Sequence, residues 1–141
     1  MAKATYKTDV VWTGENIKSV ARANGHDFVI DEPKSLGGTD EGPNPVEYLL
    51  ASLGGCLNVI IAMLAPRYDV ELKGVVTKVE GDLDPDGFME VAPVRTGFDA
   101  IRYKIEIDTD APAEQVEKLI AHTEKLCPVK DTLTGVEMTR V

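Results

Sequence analysis

The sequence predicts an α+β fold in a single domain spanning residues 1–141, and three observations carry that prediction. Two-residue alternation of apolar and polar side chains marks the start and the second half of the chain. One long, almost uniformly apolar run sits between them, and an amphipathic helical run follows near the C-terminus. At 141 residues and 43% hydrophobic, with mean hydropathy −0.11, the chain can build a core without staples.

The opening is β. Tyr6, Thr8, Val10 and Trp12 alternate with Lys7, Asp9 and Val11, and Thr13-Gly14 marks a turn. Ile17 to Ala23 and His26 to Asp31 flank Asn24-Gly25, a strong hairpin signal, because both central residues of a type I′ turn need positive φ. These segments form an N-terminal antiparallel β-meander, closed by Asp31-Glu32-Pro33 and followed by a glycine-rich loop from Ser35 to Pro43.

A helix is written from Asn44 to Ala65. Asn44 caps it, Pro45 suits the first helical position, Glu47 completes a capping box, and Pro66 stops it. Tyr48 to Ala65 reaches roughly the 18-residue length of a membrane span. Ser52, Gly54, Gly55 and Asn58 within it favour a buried core helix instead, with no membrane partner. Because it is apolar on nearly every side, it needs cover from a sheet and from a second copy, which predicts an intertwined homodimer around a long buried central helix.

Val70 to Leu83 returns to β and ends at Asp84-Pro85-Asp86-Gly87. Phe88 to Phe98 shows no clean period and reads as a mobile loop. Ile101, Tyr103, Ile105 and Ile107 alternate with Arg102, Lys104, Glu106 and Asp108, completing a second β-hairpin. Pro112 opens the amphipathic helix, with Val116, Leu119, Ile120, Thr123, Leu126 and Cys127 on one stripe, and Val136 to Val141 is a closing strand. There is no internal repeat.

A net charge of −9 and a pI near 4.7, without any Lys/Arg cluster, exclude nucleic acid as a partner. Met1 to Thr5 lacks the apolar core of a signal peptide, which predicts a cytoplasmic protein whose thiols are kept reduced. There is no phosphate loop and no serine elbow.

The chemistry then rests on two cysteines far apart in sequence, Cys56 in the apolar helix and Cys127 at the end of the amphipathic one. Held by two helices, they can meet in space, as a redox dithiol requires. Cys56 also reads as a small buried hydrophobe; against that stand Gly54 and Gly55, each costing about 1 kcal/mol in a helix. Cys127 reads either as a core contact or as the cap of a short helix from Pro128 to Leu133, whose positive end and Lys130 favour a thiolate. Zinc lacks any close-spaced ligand pair, since the histidines are His26, after the hairpin turn, and His122, on the polar side of its helix.

The run from Gly37 through Asn44-Pro45-Val46-Glu47 to Gly54-Gly55-Cys56, with Leu126-Cys127-Pro128-Val129 later, resembles the OsmC/Ohr family, named for osmotic induction and organic hydroperoxide resistance. The element order matches over nearly the whole chain. The resemblance implies an OsmC-like fold and an intertwined homodimer. It implies a thiol-dependent peroxidase that reduces organic hydroperoxides, with Cys56 peroxidatic and Cys127 resolving. No bound cofactor is implied; an external dithiol or lipoyl-type reductant restores the thiols.

The chain departs from that pattern at one informative place. Family peroxidases carry a glutamate directly after the cap proline, paired with an arginine that activates the thiolate; here the position is Val46. Glu47 is the nearest acid, but nine helical positions from Cys56 turn it about 900° away, on the opposite side, so it reads as the helix cap. Lys34, Ser35 and Leu36 occupy the region that supplies the arginine in one branch. Arg22 is the substitute cation, with a cross-strand pair to Asp27 as its plainer role. The alternative reading is therefore a divergent OsmC-like dimer that binds a small molecule, or is structural, without peroxidase activity.

Overall fold

A computed structural model describes residues 1–141, which form two compact units, residues 1–49 and 50–141. The first is the meander and the loop that leads into the central helix. Strands β1 (Asp9–Trp12), β2 (Ser19–Ala23) and β3 (His26–Ile30) form an antiparallel sheet in that order. Asn24 and Gly25 take φ of 50° and 78°, as the hairpin signal requires. The first strand is shorter than the alternation suggests, beginning at Asp9 rather than Tyr6 because β2 offers no backbone partner beyond Arg22.

The loop after β3 is built around a buried carboxylate. Asp31, 1% exposed, accepts hydrogen bonds from the backbone N–H groups of Glu32, Thr39 and Glu41 and from the Thr39 hydroxyl. Burial pushes this acid up, but those donors outweigh it and hold Asp31 at about 2. Gly38 is required where the loop folds back, since a Cβ there would lie 1.8 Å from the Glu32 carbonyl oxygen.

Helix α1 (Pro45–Leu64) starts with a reciprocal capping box: Asn44 N–H donates to Glu47 Oε2 and Glu47 N–H to Asn44 Oδ1, both at 2.9 Å. Within the first unit, Tyr48 donates its hydroxyl to the Val29 carbonyl at 2.6 Å. Leu64 is the last α-helical residue, and a 3-10 turn (Ala65–Tyr68) carries Pro66.

The second unit holds the main core. Strands β4 (Gly74–Leu83), β5 (Phe98–Asp108) and β6 (Glu137–Arg140) form a sheet with β5 central, antiparallel to β4 and parallel to β6. The parallel return is made through helices α3 (Ala113–Leu126) and α4 (Pro128–Thr132). Residues 85–88 form a single helical turn, α2, capped by the Asp84 side chain. Leu53, Leu57, Ile61 and Leu64 of α1 are buried with Ile101 and Tyr103 of β5 and Leu119 and Ile120 of α3. Gly54 lets α1 close on β4: a Cβ there would sit 3.2 Å from Val79 Cγ2. Thr77 of β4 donates to Asn58 of α1 at 2.6 Å, satisfying the polar atom inside the apolar run.

In this one chain the helix is covered along one stripe, by one sheet and one helix; Val59 and Met63 on the other side, the face left for a second copy, are 59% and 71% exposed. Two expectations are corrected. Leu126 is half exposed rather than part of the buried stripe, since α3 ends there. The segment after α2 is tied down: Arg95 donates to the Gly135 carbonyl at 2.8 Å, and Val91 and Ala92 donate backbone bonds to Asp86.

Candidate active site: a thiol pair between two helices

Cys56 and Cys127 are both reduced, and the second unit brings them near enough for Cys56 to raise the Cys127 thiol. Cys56 sits on α1, half-buried. Cys127 is 1% exposed at the junction of α3 and α4, with extended φ and ψ of −73° and 108°. That conformation ends α3 and starts α4, so the thiol becomes the N-cap: the Lys130 backbone N–H donates to Cys127 Sγ at 3.3 Å. Sequence reading left core contact and cap as alternatives, and Cys127 is both.

The electrostatics give the two thiols different characters. Burial pushes Cys127 up, and contact with Cys56 pushes it further, against the lowering effect of the α4 amides of Lys130 and Val129. Cys127 therefore holds its proton at neutral pH while facing a thiol that reaches the protein surface. A polar array lies next to it. The buried Tyr103 phenol donates to Glu124, one turn before Cys127 on α3, and Glu124 also pairs with Arg140 Nε at 3.1 Å. Burial, then the bond to Glu124, raises Tyr103 well above the ordinary phenol range; Cys127 adds to that rise through charge. Arg140 also grips Glu117 with two guanidinium nitrogens. None of this array was singled out from sequence. The inward alternation of Tyr103 is the signal that a buried phenol needs a partner.

The remaining candidates have other partners. Arg22 makes a bidentate pair with Asp27 across β2 and β3, Nε–Oδ1 2.6 Å and Nη2–Oδ2 2.9 Å. Glu47 is engaged in the capping box. His122 is not on a free polar face: its Nδ1 meets the Tyr68 hydroxyl at 2.8 Å, with the rings edge to face. His26 is exposed beside the hairpin turn. No three His, Cys, Asp or Glu side chains cluster as metal ligands.

The order of elements, the Cys56 helix and the Cys127-Pro128 junction fit one family, and a family model described as OsmC-like protein matches residues 38–139. The chain belongs to the OsmC-like family. Among solved structures, it is similar to an OsmC-like protein from Mycoplasma pneumoniae at TM-score 0.86 and 19% identity, covering 99% of this chain and 96% of that one. An OsmC-like protein of unknown function from Vibrio cholerae gives TM-score 0.82 at 11% identity, covering 99% of both chains. An organic hydroperoxide resistance protein from Elizabethkingia anophelis gives 0.69 at 20%, covering 99% of this chain and 96% of that one. At these identities the likeness shows the fold. No curated protein matches the sequence.

Proposed function

We propose that this protein is a homodimeric, cytoplasmic thiol peroxidase that reduces organic hydroperoxides through Cys56 and Cys127. The observation that carries the reading is the nearness of a half-buried thiol on α1 to a sealed one at the α3–α4 junction. Similarity to proteins titled organic hydroperoxide resistance supports the substrate class.

The Cys56 thiolate attacks the outer peroxide oxygen; the O–O bond breaks, an S–O bond forms, and the alkoxide leaves as the alcohol with a proton. Cys127 then attacks the Cys56 sulfenic acid, closing a disulfide and releasing water. An external dithiol of the lipoyl type returns both thiols, so the chain needs no bound cofactor. Arg22 of a second copy, reaching across the dimer, is the cation proposed to favour the thiolate; within its own chain it holds Asp27. Glu47 acts through the helix cap alone.

One stoichiometric dose of an organic hydroperoxide is the test. Mass spectrometry shows loss of two hydrogens in the wild type, and Cys127→Ser accumulates a trappable sulfenic acid at Cys56. Two thiols that survive unmodified would remove the peroxidase reading. Val46 in place of the family glutamate, and an Arg22 already paired with Asp27, are what favour the second reading, a non-enzymatic binding dimer.

A further inference from the structure

Thr123 is the one buried side chain whose polar atom has no hydrogen-bond partner. It is 0% exposed on α3, on the face that also buries Leu119 and Ile120. A helical threonine ordinarily settles its hydroxyl on the carbonyl four residues back, here Leu119, and that bond is not made. A buried hydroxyl left unmade is costly, and such groups in native proteins call for a reason.

Its position supplies one. Thr123 lies four residues before Cys127, and residues at that spacing are neighbours on one helix face, with Cβ atoms about 5–6 Å apart. Cys127 in turn lies near enough to Cys56 to be raised by it. At the other end of the same interface, Leu119 packs with Ile61 of α1. Thr123 therefore sits between that apolar contact and the thiols, in the seam where α3 meets α1. The Lys130 N–H that donates to Cys127 Sγ is already committed.

Resting on the dithiol reading above, we propose that the Thr123 hydroxyl donates a hydrogen bond to the oxygen that leaves Cys56 as Cys127 attacks. In that step the Cys127–Cys56 S–S bond forms and the Cys56 S–O bond breaks. The departing hydroxide takes the thiol proton of Cys127 and becomes water; Cys127 is oxidised and the sulfenic sulfur reduced to the disulfide level. Thr123 keeps its own proton and stabilises charge on the departing oxygen. While both thiols are reduced there is no such oxygen, which is why the hydroxyl stands alone.

The experiment is Thr123→Val, close to isosteric, with Thr123→Ser as the rescue. Two rates are read by stopped flow with one equivalent of an organic hydroperoxide. Sulfenic acid formation is followed in a Cys127→Ser background, and disulfide closure in the intact pair. Thr123→Val should leave sulfenic acid formation unchanged, slow closure about tenfold or more, and melt no lower than wild type, since it removes an unsatisfied group. Thr123→Ser should restore closure. Closure at the wild-type rate in Thr123→Val would overturn the proposal, as would slow closure that serine fails to rescue. A wild type that never forms sulfenic acid or disulfide would overturn it too, by a different route, because then the dithiol reading itself has failed.

Discussion

Gly54 lets helix α1 close on Val79 of β4, and the energetics of that contact can be isolated. Replacing Gly54 with alanine gains about 1 kcal/mol of helix propensity. The added methyl, however, lies 3.2 Å from Val79 Cγ2 and 3.8 Å from Thr77, so the half-buried valine must yield by a few tenths of an ångström. Overpacking of that kind costs about 1–3 kcal/mol, leaving Gly54→Ala destabilised by about 1 kcal/mol. Val79→Ala removes the obstructing methyls and costs about 1 kcal/mol itself, from roughly 0.8 kcal/mol per buried methylene at partial burial. In the double variant the clash is gone and the propensity gain remains, so its stability returns near wild type. The cycle should show a favourable coupling of about 1–3 kcal/mol. Urea denaturation at one fixed protomer concentration measures it, with unchanged m-values confirming that only stability moved. Additivity within about 0.5 kcal/mol would refute the close-contact argument.

Asp31 sets an acid limit on the first unit. Its folded value, about 2, is depressed below the ordinary 3.8, so its contribution is present above pH 4 and lost as pH falls through 2. Asp31→Asn should lower the melting temperature at neutral pH and flatten its acid limb; an unchanged limb would show that another group controls it. For Arg22, Arg22→Met should slow sulfenic acid formation at Cys56 at neutral pH and Asp27→Asn should speed it. A pH–rate profile unchanged in both leaves the pair to strand pairing alone. Sedimentation at micromolar concentration should give a dimer, and Met63→Glu, on the 71%-exposed apolar side of α1, should yield monomer; a wild type that is a stable monomer would refute the assembly.

The elements were legible where a local rule was strong. Asn24-Gly25 named its hairpin, and Asn44-Pro45-Val46-Glu47 named the helix start to the residue. Tyr103 and Ile101 alternate inward as the two-residue period requires. What stayed hidden depends on partners distant in sequence. Nothing local says that Tyr103 will find Glu124, that Glu124 will hold Arg140, or that His122 will meet Tyr68. The second β segment also starts later than its apolar residues suggest, because pairing with β5 begins at Gly74, opposite Asp108.

Helix geometry also gives a reason for the place of Cys56, the proposed reactive position. At about 100° per residue, Leu53, Leu57, Ile61, Leu64 and Gly54 fall within an arc of about 100°, all of them buried. Ser52, Gly55, Val59, Ala62 and Met63 fill a second arc of about 100° on the opposite side, all of them exposed. Cys56 belongs to neither, lying about 20° beyond Met63, in the narrow gap before the buried arc begins again. A thiol in the buried arc would meet Cys127 but no substrate, and one in the open arc would meet substrate but not Cys127. Only a seam position serves both encounters, and it is also the margin that a second copy covering Val59 and Met63 would turn into a pocket wall. Gly55 lies about 100° from Cys56 within the open arc, where a Cβ would meet nothing. The helix-propensity cost of Gly54, by contrast, is spent on the sheet, where a Cβ would crowd Val79.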